Sequence, residues 1–369
     1  MTTICITLAL LLAACGRNDD PLPVTPKPDV EVKWEISPAT LLLSATGETK
    51  NIIVTANGDW MVTSGESWCS LTPDKGGNGQ TLVKITATAN PKEELRNAEI
   101  TFVSGKYSRK YTVSQAAGTV QNYVPDGYSQ VWNEEFNESR LSGGKPALPN
   151  TAKWWYENLP KGAVNNELQT YVGGFRGTDT VAAIYDGTLK IIARKSGSDI
   201  ISARINTIEG WTYGYFEARL RVPGGKGTWP AFWMMPKNFT SWPLDGEIDI
   251  MEYVGYQPNV VHSTVHTEAY NHMIGTQKGA TKTIENAETA FHIYAVEWTA
   301  DYIKGFVDGE AYFHFDNDGK GDKRTWPFNV PFYLKLNLAW GGDWGGAQGV
   351  DESKLPATYE IDYVRVYQK

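Results

Sequence analysis

The chain has 369 residues, 34 Lys and Arg against 42 Asp and Glu, and a net charge of −8. That length accommodates two or three domains with a sizeable core, and the acidic balance argues against nucleic acid or a polyanionic surface as partner, more mildly against a sulfated polymer. Aromatics at 12%, 14 of them Trp, together with 36 Gly describe a turn-rich β protein, and no Gly-rich phosphate loop stands out.

Residues 5–14 form an apolar run too short to span a bilayer but suited to a signal-peptide core. The run ends Leu12-Ala13-Ala14-Cys15, which resembles a bacterial lipobox and implies that Cys15 is lipidated as the first mature residue. Arg17-Asn18-Asp19-Asp20 resembles the acidic tag of Bacteroidetes surface lipoproteins, so residues 1–14 read as signal peptide and the expected location is the outer membrane, facing outward. Residues 1–4 carry no positive charge, which leaves room for an upstream start codon. Residues 15–32 hold four prolines and read as a semi-rigid tether. Of three cysteines, Cys5 leaves with the signal and Cys15 is acylated; Cys69 is then a lone core thiol with no disulfide partner.

From 33 to 117 the chain shows short β-patterned runs at 40–44, 50–55, 82–87, 98–103 and 110–115, separated by turns such as Asn57-Gly58-Asp59. They predict a small β-sandwich. Trp60, Trp68, Asn90, Arg96 and Val113-Ser114-Gln115 resemble a BACON domain. Trp60 and Trp68 are either sugar platforms or core, and core packing is the preferred reading. Residues 118–128 read as a linker.

From 129 to 369 strand signals recur at 189–193, 213–222, 247–254, 292–298, 333–339 and 359–367, with no convincing helical period. The expected fold is all-β, a jelly-roll sandwich with a concave cleft. The decisive stretch is Glu247-Ile248-Asp249-Ile250-Met251-Glu252, three carboxylates set among apolar residues. Unpaired buried carboxylates are costly. Alternation puts Glu247 and Asp249 on one face but leaves Glu252 with the wrong parity. One extra residue near Ile250–Met251 restores it, and such bulges re-aim side chains. The glutamates then stand roughly 13 Å apart at Cα, at ~3.3 Å per residue, and their side chains reach toward the ~5–5.5 Å carboxyl separation of retaining glycosidases. One carboxylate attacks the anomeric carbon while the other protonates the leaving oxygen, and Asp249 between them separates their pKa values.

This strand, with Tyr253-Val254-Gly255, is similar to the catalytic strand of glycoside hydrolase family 16 in its bulged, laminarinase-like form. Matching segments run in order: 132–136, 165–171, 202–204, 213–219, 229–233, 262–267 and 361–367. The resemblance implies Glu247 as nucleophile, Asp249 as assisting carboxylate and Glu252 as general acid/base. Sugars present C–H faces and hydroxyl edges, so Trp229, Trp233 and Trp344 are candidate platforms and Asn166 and Arg204 candidate hydroxyl binders. His266 resembles the family histidine beside the carboxylates. The remaining histidines, at 262, 272, 292 and 314, lack compact metal-ligand spacing, so no catalytic zinc is expected. The family also implies a structural calcium held by Asp362, Gly187 and Glu134 or Glu135.

The expected function is an endo-acting retaining β-glucanase cutting mixed-linkage β-1,3/1,4-glucan or laminarin, active as a monomer without a catalytic cofactor. The alternatives are an agarase- or carrageenase-type galactan hydrolase and a non-catalytic surface glycan binder. The intact trio argues against the binder.

Overall fold

The computed structural model describes residues 33–90, 92, 94–118, 121–137, 141–142, 145–146 and 148–369. The signal, Cys15 and the tether lie outside these residues. Strand is the dominant regular structure; the helical elements among the described residues are one four-residue turn, Gly342–Gly345, and the 3₁₀ turns His272–Ile274 and Glu352–Lys354.

Residues 34–115 form two antiparallel-rich sheets facing each other. One orders strands Trp34–Ser37, Glu48–Ala56, Gly79–Ala87 and Cys69–Thr72; the other orders Leu41–Leu43, Tyr107–Gln115, Arg96–Ser104, Trp60–Ser64 and Lys75–Gly76. Strict alternation sends Ile52, Val54, Val83, Ile85, Ile100, Phe102 and Val113 into a dry core with Trp60 and Trp68. Both tryptophans are core. Trp60 packs edge-on to Phe102 at 5.4 Å, and Arg96 lies 4.2 Å above Trp68. Arg96 Nε also donates to Gln115 Oε1 at 2.8 Å, and Asn90 Nδ2 donates to the carbonyls of Glu94 and Ala116. Trp68, Asn90, Arg96 and Gln115 thus close one end of this sandwich, where the chain leaves it. Cys69 is buried, and burial pushes its thiol up.

The remainder stacks a ten-stranded sheet on a seven-stranded one around a second core that shares no residue with the first. The seven-stranded sheet runs Trp154–Tyr156, Arg204–Thr207, Phe332–Trp340, Thr228–Pro236, Glu247–Tyr253, Val260–His266, Lys278–Thr283. One face of each strand meets the core. The opposite face gathers the polar and half-buried aromatic residues: Trp233 opposes Asp249 and Lys335, and Ala231 opposes Glu252 and Asn337. The sequence missed several strands of this unit, among them the four-residue Arg204–Thr207 and Thr228–Pro236, whose apolar run alternates poorly because it is buried on the core side and half-covered on the other.

Candidate active site

The parity of the catalytic strand is broken where the sequence requires it. Against Val260–His266 the register runs Glu247↔His266, Asp249↔Thr264, then Glu252↔His262, one residue longer on the catalytic strand. Against Thr228–Pro236 it runs Ala231↔Glu252, Phe232↔Met251, then Trp233↔Asp249. Ile250 is therefore the unpaired residue. It and Met251 both point into the core with no exposure, and Glu247, Asp249 and Glu252 share the cleft face.

The three carboxyls form one titrating unit. Asp249 is 2% exposed and hydrogen-bonds Glu247, which requires a proton between the two. Its Oδ2 has no hydrogen-bond donor among the described residues and lies 3.4 Å from His266 Nε2, an electrostatic contact. All three carboxyls are pushed up, first by burial and then by one another: Glu247 to about 8, Glu252 to about 7, and Asp249 well above the usual range. Two indole N–H groups oppose this rise. Trp242 Nε1 donates to Glu247 Oε2 at 3.0 Å, and Trp229 Nε1 donates to Glu252 Oε1 at 3.0 Å. Glu247 and Asp249 thus share one proton and one negative charge as a pair. Glu252 keeps one oxygen outside the indole bond to carry its proton. One ligand atom each from Glu247, Asp249 and His266 lie within 4.8 Å of one another, the one such grouping among the described residues.

Each glutamate has its own aromatic wall. Trp242, His266 and His272 surround Glu247, with ring centroids 4.9–5.8 Å apart. Trp229, Trp344 and His262 surround Glu252; Trp344 meets Trp229 at 5.4 Å and His262 at 4.9 Å, both edge-on. His262 is half-buried, and burial holds its pKa down, so the ring beside Glu252 is neutral.

The remaining candidates fall into two groups. Trp233 stands beside the trio with Nε1 donating to Asn337 Oδ1 at 2.7 Å, and Arg204 and Lys335 lie 5.6 and 4.8 Å from its ring. Arg204 is 6% exposed, between Glu157 and Glu167 and 4.6 Å from the Tyr171 ring. Its guanidinium thus supports the platform from beneath. Burial and the Arg204 charge lower Lys335 to about 8, and its ammonium pairs with Glu157 at 2.7 Å. Asn166 is exposed and ties its amide to Asp343 at 2.8 Å, next to Trp344. That bond joins the 160–168 loop to the turn carrying Trp344, so Asn166 sits across from the catalytic centre on the acid/base side.

Sequence reasoning missed Trp242, Asp245 and Trp155. Trp242 lies on the loop between two central strands, and Asp245 pins that loop. Its carboxylate accepts from Thr240 N, Thr240 Oγ1 and Ser241 N at 2.6–2.7 Å and pairs with Lys323; against burial, these bonds hold it well below the usual range. Gly246 follows at φ +84°, where a Cβ would stand 2.6 Å from Pro327. Trp155 is 41% exposed on the edge strand while Trp154 beside it is 1% exposed, so alternation alone assigns Trp155 to the cleft face.

The residues offered for a metal lie on the opposite sheet. Asp362 is 1% exposed, and its Oδ2 accepts from Arg219 at 2.9 Å. Its Oδ1 and main-chain oxygen, with the carbonyl of Glu135 rather than Glu134, converge on one point, and that point holds Lys92 Nζ at 2.6, 3.2 and 2.7 Å. Glu134 instead faces Lys153 with its carboxylate, at 3.6 Å. A calcium ion needs these oxygens at about 2.3–2.6 Å and cannot share the point with an ammonium. The donor set as folded fits the ammonium and not the ion.

Comparison with known proteins follows the same division. A model described as Glycosyl hydrolases family 16 matches residues 174–365, and one described as Viral BACON domain matches 33–118. The chain is 47% identical over 251 residues to a β-glucanase of Rhodothermus marinus, covering 64% of this chain and 84% of that one. The solved laminarinase from Rhodothermus marinus superposes with a TM-score of 0.60 at 46% identity, covering 65% of this chain and 97% of that one. SCLam, a non-specific endo-β-1,3(4)-glucanase, superposes at 0.61 with 44% identity, covering 67% and 93%.

Proposed function

The chain belongs to glycosyl hydrolases family 16, and from that premise we propose an endo-acting, retaining β-glucanase that cuts mixed-linkage β-1,3/1,4-glucan and β-1,3-glucan. The observation that carries the reading is the bulge at Ile250, which aligns Glu247, Asp249 and Glu252 on one face between two indole N–H donors. Glu247 attacks the anomeric carbon while Glu252 transfers its proton to the departing glycosidic oxygen, leaving a glycosyl ester on Glu247. Glu252, now a carboxylate, takes a proton from water as that water attacks the same carbon and frees Glu247. Two inversions retain the β configuration. The proton shared by Asp249 and Glu247 stays on Asp249 as Glu247 attacks, which leaves the nucleophile ionised. No cofactor enters these steps, and rates equal in EDTA and in buffer are expected.

Incubation with barley β-glucan, laminarin, agarose and carrageenan, followed by analysis of the released oligosaccharides, tests the reading. Short gluco-oligosaccharides appearing first as β anomers support it. First-formed α anomers, or products from the galactans alone, overturn it. The expected anchoring through Cys15 at the outer membrane rests on the 5–14 run and the Leu12–Cys15 motif. A Cys15→Ala variant should leave the membrane fraction if it holds.

A further inference from the structure

The N-terminal sandwich grips the back of the catalytic one through a side chain that none of the chemistry above uses. Lys92 stands on the loop that leads into Arg96–Ser104. Its own N–H donates to Asn90 Oδ1 at 3.2 Å and its carbonyl accepts from Gly118 at 2.7 Å, so the arm is fixed at its base. The ammonium ends among three oxygens of the other unit: the Glu135 carbonyl, the Asp362 carbonyl and Asp362 Oδ1. Oδ1 lies 2.6 Å away yet off the hydrogen-bonding direction, as when a cation sits centrally among oxygens rather than pointing at one. The stem crosses Gly187, where a Cβ would stand 3.1 Å from Lys92 Cε. Beside it, Ser67 Oγ donates to Asp186 Oδ2 of the same hairpin turn. Asp186 and Gly187 both have positive φ, as a two-residue hairpin turn requires, so the turn offers a carboxylate and a bare backbone side by side.

We propose that Lys92 is the resident cation of this oxygen cradle, a tethered ammonium that stands where a divalent ion would sit and clamps the N-terminal sandwich to the convex sheet. Removing the ammonium leaves Asp362 with Arg219 alone, on Oδ2, and strips Oδ1 and the two carbonyls of their cation, which is unfavourable. The cradle then has reason to recruit a soluble cation.

The test uses the full chain as wild type, Lys92→Ala and Lys92→Met, the last keeping the stem and losing only the charge. Small-angle scattering and thermal unfolding are each recorded in EDTA and in millimolar calcium. Unchanged turnover of a soluble glucan, whose cleft is on the opposite face, certifies that each variant is folded. The proposal expects a wild type indifferent to calcium. It expects variants with a larger maximum dimension in EDTA and a melting temperature that calcium raises. Calcium stabilising the wild type as much as the variants would show that the cradle holds metal with Lys92 in place, and would overturn it. Variants with wild-type scattering in EDTA would overturn the clamp.

Discussion

Both sandwiches bury tryptophan in their cores, but only the catalytic one also sets it along a cleft. In the N-terminal unit Trp60 and Trp68 are 2% and 6% exposed and fill the core. In the catalytic unit Trp229, Trp233 and Trp344 are half-buried on the cleft face, and Trp155 lies more open still. All but Trp68 and Trp344 sit on strands, so residue type and secondary structure do not distinguish the groups. What differs is the opposite side of the strand. Trp60 has solvent-facing Met61 beside it, whereas Trp229 and Trp233 alternate with Pro230 and Phe232, which are buried on the side that faces the second sheet. A strand whose far side is packed frees its near side for aromatics that meet a ligand, and a small two-sheet module has only one interior to fill.

The largest way to sharpen that contrast is chemical. Glu247→Gln should lower kcat by on the order of 10⁴-fold or more, the scale of removing an active-site nucleophile, while oligosaccharide binding by calorimetry persists. Glu252→Gln should cost about 10²–10⁴-fold and remove the alkaline limb of the pH profile. The sign follows from burial: Glu252 keeps its acid proton up to about 7 and loses it above, so wild-type kcat falls as pH rises through that value. The same raised carboxyl favours the fold below its ordinary 4.5 and disfavours it as pH climbs toward 7. The variant should therefore melt above wild type at pH 8 and level with it at pH 4.

Next in size is a change confined to the other sandwich. Trp60→Ala empties a site bounded by Phe102 and Gly76 and should cost about 3–5 kcal/mol of that unit's stability. Differential scanning calorimetry should show one transition moving down while kcat/KM stays put. A loss of glucan affinity in its place would make Trp60 a platform and dissolve the contrast.

How far the sequence reached follows the same line. The carboxylate trio and its bulge were legible because three charges among Ile and Met admit one parity, and a single break repairs it. The all-β class and the ends of the well-alternating strands were legible for the same reason. Strand Thr228–Pro236 was not, because Trp229-Pro230-Ala231-Phe232-Trp233 is apolar on both faces. Trp242 lies on a loop, where no periodicity speaks, and Asp245, far from obvious as a pin, helps fix its place. The Lys92 contact joins residues 270 apart, and no local pattern marks a lysine that ends in a cradle on another unit.

Trp242→Phe probes the loop that pattern could not reach. The ring stays and the N–H to Glu247 Oε2 goes. A hydrogen bond to a charged group is worth about 1.5–3 kcal/mol, so kcat/KM should drop roughly 10- to 100-fold and the acid limb should move to higher pH. An unmoved limb with a raised KM alone would make Trp242 a wall and not a tuner.

The smallest effect lies farthest from the carboxylates. Trp155 sits on the sheet's edge strand, 6.2 Å from Tyr333, and Tyr333 leads by alternation to Lys335 beside Trp233. An aromatic row continues from the catalytic centre to the rim, so only a long chain reaches its end. Covering about 40 Å² of the indole with a sugar at ~25 cal/mol per Å² is worth about 1 kcal/mol. Trp155→Ala should then raise KM for the polymer roughly fivefold, leave kcat intact and leave KM for a trisaccharide untouched. An equal loss on short and long substrates would place Trp155 in the scaffold, and the row would stop at Trp233.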